Sequence, residues 1–191
     1  MNVNSLLQDF VKHFYLSKKM DGELHFSEEK LLERDEKLSG QLLEYYQHLS
    51  FEGECYFGNR FFNLVFLPYL SEATEPETWA LDDNQLFNQK DYMIFAHNML
   101  DEVIFCDVRD QDCPVYSLMS GSSEVMKLSN SLFDFLSFYI ELTNLQALKF
   151  KYEVREQNLK LKNEFVDDVY LIINRCFCCD IKENLIEFIF N

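Results

Sequence analysis

Three groups of side chains in this sequence have the types and spacing to do chemistry. Asp107, Asp110 and Asp112 cluster around Arg109, and carboxylates so close on a turn could coordinate a divalent cation. The stretch lacks the glycine and the distal bidentate glutamate of an EF-hand, so a solvated turn is expected instead. Cys176-Phe177-Cys178-Cys179 could hold Zn²⁺ together with histidines. Adjacent cysteines at helical spacing point in different directions and no second CxxC pair exists, so buried structural thiols are expected there. His97 and Cys106, on successive predicted strands, are the pair that nucleophilic catalysis would need. No oxyanion-hole motif accompanies them, and the reading is a strand-packed histidine and cysteine. Neither GxxxxGK[ST] nor GxGxxG occurs, which removes the usual phosphate cradles. The residues therefore predict no catalysis, no cofactor and no metal.

Charge is the strongest global signal. Asp and Glu number 33 against 17 Lys and Arg, a formal net charge of −16. Nucleic-acid binding needs cations to displace counterions, so DNA and RNA are excluded as expected partners, and an anionic membrane surface is disfavoured for the same reason. An acidic field instead favours fast encounter with a cationic protein, although solubility alone would also account for it. The excess is concentrated: residues 72 to 112 contain eleven acidic side chains against Lys90 and Arg109, more than half of the net charge. These acids fall mainly in a polar connection and in two turns, which the strands would gather at the ends of a sheet. Asp82, Asp83, Asp101, Glu102, Asp107, Asp110 and Asp112 are accordingly the predicted partner-binding acidic rim.

The elements that must position this rim follow from periodicity. Leu6, Leu7, Phe10, Val11 and Phe14 predict an amphipathic helix over 4–16 with Asn4 as N-cap. Asp21-Gly22 predicts a turn, and Ser27 opens a second, acidic helical segment through Leu32. A third helix is expected over 36–49, with Ser39-Gly40 weakening its first turn. After Phe51 the pattern becomes β-like, with a hairpin turning near Gly58-Asn59. Residues 71–91 read as a polar connection in which Trp79, the single tryptophan, plugs the edge of a core.

Tyr92–His97, Glu102–Val108 and Pro114–Leu118 then predict an antiparallel meander. Tyr92, Ile94 and Ala96 are assigned to one face and Met93 and Phe95 to the other, so the sheet needs cover on both sides. Ser131 begins the strongest helix pattern, with Asp134 in the position of a capping-box acid. Two further helical patterns follow, one through Val166, Val169, Tyr170, Ile173 and Phe177, the other from Asp180. The fold class is thus α+β: a central, mostly antiparallel sheet with helices packed on it, plus added N- and C-terminal helices. At 191 residues one domain is expected, burying roughly 70% of the surface its unfolded chain exposes.

Asp9, Lys12 and His13 interrupt the amino-terminal apolar run, so no signal peptide is expected, and no window approaches the ~18 apolar residues of a membrane span. The six cysteines do not sit at disulfide-framework spacings, which fits a cytoplasmic protein with reduced thiols.

The order of hairpin, acidic Trp-containing connection, YMIFAHN, EVIFCDV, PVYSL and the Ser-capped SLFDFLSFYIEL resembles the SUKH superfamily. That family contains bacterial immunity proteins that neutralise secreted polymorphic toxins, and fungal regulators of cell-wall synthesis. The resemblance spans residues 27–145, leaving 1–20 and 150–191 as helical additions. It implies a non-catalytic protein-binding module, which with the charge distribution becomes an immunity-type protein for a cationic, nuclease-like toxin. The alternative is a structural or regulatory scaffold that self-associates through an apolar surface.

Overall fold

The computed structural model describes residues 2–17, 21–33, 37–58, 62–81, 86–87 and 91–190. Beside a separate ribbon of β1 (Glu23–Phe26) and β2 (Leu49–Glu52), its core is a six-stranded antiparallel meander in which β3 (Cys55–Phe57), β4 (Leu64–Phe66), β5 (Tyr92–His97), β6 (Glu102–Asp107), β7 (Val115–Met119) and β8 (Val125–Ser129) pair in turn. Each strand pairs with its neighbour in sequence, so short connections suffice and the turns fall at two opposite ends of the sheet. The α+β class and the antiparallel sheet are as the periodicity predicts. β8 is an addition to that reading, an edge strand with half-exposed Met126 and Lys127 and a weak apolar pattern.

The first third departs from expectation. β1 (Glu23–Phe26) pairs with β2 (Leu49–Glu52), and residues 27–33 form turns where a helix was expected. Tertiary partners satisfy this segment instead of an i→i−4 ladder: the Ser27 amide donates to the His48 carbonyl at 2.9 Å and the Leu31 amide to the Gln47 carbonyl at 2.8 Å. Gln47 Nε2 also donates to the Leu32 carbonyl. The third helix, α2 (Gly40–His48), begins at the Ser39-Gly40 pair that was expected only to weaken it. α1 (Val3–Leu16) is capped by Asn2, two residues before the predicted Asn4, which lies inside the helix and donates its amide to the Asn2 side chain.

Both sheet faces are covered, by different means. α1, α2, α3 (Leu132–Asn144), α4 (Asn163–Cys176) and α5 (Cys179–Phe190) close over one face, whose core includes Phe10, Phe57, Phe66, Ile104, Phe135 and Tyr139. The other face holds Val65, Ile94, Val103, Phe105 and Leu118 under Leu81, Phe87 and the half-buried Trp79. The polar connection is therefore a second cover: Trp79 donates from Nε1 to the Ala73 carbonyl at 2.9 Å and packs on the edge of that cluster, as its composition predicts. Ala96 corrects the face assignment. The β5–β6 register slips between Ile94 and Ala96, and this bulge puts Phe95 and Ala96 together on the helical face while Ile94 stays on the other.

α3 is capped by Ser131, whose Oγ accepts from the Asp134 amide at 3.0 Å. Only half of a capping box forms, because the Ser131 amide donates to Ser129 Oγ rather than to Asp134. Among the described residues no helix is long and apolar enough to cross a membrane.

Candidate functional site

The turn from Val108 to Pro114 joins β6 to β7 and is clamped by the starts of two helices. Gly40 at the head of α2 has φ +52°, and a Cβ there would lie 2.1 Å from the Gln111 carbonyl oxygen, so only glycine admits this approach. The Gln41 amide donates to that same carbonyl at 2.9 Å, and Ser39 Oγ donates to the Val108 carbonyl. Cys113, with φ +50°, turns its buried thiol inward, where Sγ contacts the Ser39 carbonyl and the Leu42 amide, each at 3.4 Å. Burial holds this thiol above its ordinary pKa, so it serves packing rather than nucleophilic chemistry.

Gln41 links the two helices across the turn. Its Nε2 donates to Asp112 Oδ1 at 3.0 Å, and its Oε1 accepts from the Phe133 amide at 2.8 Å. The Leu132 amide donates to the Asp112 carbonyl at 2.9 Å. Asp110 Oδ1 accepts from the Asp112 amide at 2.9 Å, leaving both carboxylates exposed on a fixed backbone. Beside them lies a cavity of about 390 Å³, lined by Val3, Leu6, Gln41, Asp112, Phe133 and Asp134 among others. None of its described lining residues is cationic, and Asp134 adds a third exposed carboxylate.

Arg109, the cation of the turn, is already committed. Its Nη2 lies 2.6 Å from Asp107 Oδ2 and its Nε 2.9 Å from Asp107 Oδ1, a bidentate pair, while Nη1 is 3.4 Å from Asp91. The guanidinium also donates to the Tyr92 hydroxyl and sits 5.3 Å from the centre of that ring. Hydrogen bonding from Arg109 holds the Asp107 carboxyl below its usual range, outweighing the opposing effect of partial burial. Asp107 is therefore internally neutralised, and Asp110, Asp112 and Asp134 carry the outward field.

The predicted rim is divided. Asp101 and Glu102 lie at the other end of β6, ~20 Å away at the rise of a strand. Asp101 is exposed at a turn with φ +59°, but Glu102 is only 4% exposed and points to the helical face. Asn98 Nδ2 donates to Glu102 Oε2 at 2.8 Å, and Oε1 is buried beside the Ser117 hydroxyl. Desolvation raises the Glu102 pKa. Glu102 therefore cannot present its charge to a partner, and alternation along β6 is the reason. Asp82 and Asp83 lie outside the described residues.

The other candidates resolve by register. His97 pairs opposite Val103, whereas Cys106 pairs opposite Met93, so the two are separated along the strand pair. His97 packs on Trp79 at 4.7 Å between ring centres; Cys106 is fully buried under the helices with its thiol pKa raised by desolvation. Cys176, Cys178 and Cys179 are exposed, correcting the expectation of burial, because Phe177 takes the inward position of this run, packed on Phe138, and leaves its neighbours facing outward. Among the described residues they form no three-ligand cluster, nor do the acids of the β6–β7 turn.

Gln41 and Asp134 are the site residues that the sequence did not nominate. Asp134 was visible as a cap position, but its place beside Asp112 depends on where the β6–β7 turn docks. Comparison with protein-family models, curated proteins and solved structures found no match.

Proposed function

We propose that this chain is a non-catalytic protein-binding module of the immunity type, which engages a cationic protein, such as a nuclease toxin, through the β6–β7 turn and the cavity beside it. One observation carries the reading: Asp110 and Asp112 are exposed carboxylates on a turn that Ser39, Gly40, Gln41 and Leu132 hold rigid, with Asp134 across the cavity. A rigid anionic surface binds without first ordering its own backbone, and complementary potentials speed encounter and reject wrong partners. The cavity has room for a lysine or arginine side chain. The resemblance to the SUKH superfamily in strand order and texture supports the same assignment, as does the net charge of −16.

The test is affinity capture from the native cell with the wild-type chain and an Asp110→Lys/Asp134→Lys variant, which leaves the Gln41–Asp112 bond intact. A basic protein retained by the wild type and lost by the variant supports the assignment. A partner that both forms retain equally overturns it.

The scaffold alternative has one observation in its favour: Leu148, Leu159 and Leu171 are 65%, 73% and 65% exposed in the carboxy-terminal part of the chain. Light scattering separates the readings, since self-association through those leucines raises the mass with concentration.

A further inference from the structure

The β1–β2 ribbon brings together three potential ligands that lie 29 positions apart in sequence at their extremes. Its register sets Glu23 directly opposite Glu52 and His25 opposite Ser50. Alternation places His25, two residues beyond Glu23, on the same face as that glutamate. His25 Nε2 is 3.3 Å from Glu23 Oε2, and one ligand atom from each of Glu23, His25 and Glu52 lies within 4.8 Å of the other two. All three side chains are exposed, so the group is open to solvent ions.

Like charges directly opposite one another in an antiparallel pair are destabilising, and packing keeps the two backbone positions in register. Leu24, between the two β1 ligands, is fully buried, and its cross-strand partner Phe51 packs against the same core. Gly22, with φ +81°, approaches the Glu54 carbonyl so closely that a Cβ would sit 2.2 Å from its oxygen. The Cys55 thiol donates to the Glu23 carbonyl at 3.1 Å. The backbone positions of Glu23 and Glu52 are thus fixed opposite one another by the packing beneath them.

We propose that Glu23, His25 and Glu52 form a binding site for a first-row divalent transition-metal cation, with Zn²⁺ the ion that the donors fit best. One imidazole nitrogen and two carboxylate oxygens are ordinary Zn²⁺ ligands, and three protein ligands leave a coordination position for water. The imidazole disfavours Ca²⁺ and Mg²⁺, which take oxygen donors. A bound cation would also cancel the cross-strand repulsion between Glu23 and Glu52. The site shares no residue with the acidic turn and is independent of the proposed function.

The test uses the full chain with Cys176, Cys178 and Cys179 changed to Ser, because these exposed thiols would compete for the metal. Calorimetric titration with ZnCl₂ at neutral pH should show one equivalent bound. Even outer-shell partners of metal ligands are worth about 10–100-fold in affinity, so loss of a ligand in His25→Ala or Glu52→Gln should weaken binding at least about tenfold. Zn²⁺ should raise the Tm of the parent, by mass action on the folded state, while the same concentration of Ca²⁺ leaves it unchanged. Circular dichroism verifies that the variants, altered only at exposed positions, are folded. No stoichiometric binding by the parent, or binding that neither variant weakens, leaves only a surface ion pair and overturns the proposal.

Discussion

Gly40 and Gln111 meet backbone against backbone, at a separation where the smallest side chain on Gly40 would collide with the Gln111 carbonyl. The contact joins the head of α2 to the β6–β7 turn and decides where the exposed carboxylates of that turn point. Replacing Gly40 with Ala combines a positive φ with a backbone clash. We expect a loss of about 2–4 kcal/mol, from αL strain plus the displaced turn, measured by urea denaturation. An unchanged denaturation midpoint would show that the turn is not clamped there.

Charge reversal at Asp110 should act on association far more than on folding, whereas reversal at Asp112 also removes the acceptor of the Gln41 hydrogen bond and loosens the turn. Asp110 accepts only a local hydrogen bond, and surface substitutions of this kind usually lie within about 0.5 kcal/mol of neutral. Against a cationic partner, stopped-flow association should be slower and its dependence on ionic strength flatter, since steering falls with screening. Reversing Asp82 and Asp83 in addition asks whether the connection contributes to the same field. Rates and salt slopes equal to wild type would remove electrostatic steering from the account.

Arg109→Ala releases Asp107 and Asp91 from their guanidinium. The Asp107 carboxyl, now held low chiefly by the Arg109 hydrogen bonds, should titrate closer to the ordinary aspartate range, which carbon-detected NMR reads directly. A carboxyl depressed in the folded state contributes stability above its unfolded pKa and loses it as pH falls through the folded value. The acid side of the stability profile should therefore flatten in the variant. An Asp107 titration that does not move would mean the bidentate pair does not form in solution.

Glu102 carries the opposite sign. Burial raises its pKa, so the folded state holds the proton more tightly than the unfolded chain, and stability falls as pH rises through the raised value. Glu102→Gln removes the charge, can keep the Asn98 hydrogen bond, and turns an amide towards the Ser117 hydroxyl, which can accept from it. It should stabilise the protein at neutral pH by about 1–3 kcal/mol, the scale of desolvating a buried polar group, and abolish this part of the pH dependence. A destabilised variant with an unaltered profile would place the Glu102 carboxyl in water.

Much of the architecture was legible because it is written in local periodicity. The α3 pattern from Ser131 and the two carboxy-terminal helices each bury one stripe, which a spacing of 3.6 reports directly, while the β5 and β6 runs, buried on both faces, show as short apolar runs of β-favouring residues bounded by turns. Residues 27–33 defeated the same logic. Their helical spacing is real, but their backbone groups bond to the end of α2, a partner that no local window contains. The bulge at Phe95 reassigned Ala96 for a similar reason, since an extra residue in one strand is defined only against its neighbour.

The acidic site divides along the same line. By itself the sequence determined that the protein is strongly anionic, that carboxylates crowd residues 72–112, and that strands alternate with turns there, because composition and period are properties of the chain alone. Only the tertiary structure decided which charges act. Antiparallel pairing sent Asp101 and Asp110 to opposite ends, alternation buried Glu102, Arg109 neutralised Asp107, and the docking of α2 and α3 set Asp134 beside Asp112. Charge is additive along a sequence, whereas a surface potential depends on burial, pairing and direction, and these exist only once distant segments have packed.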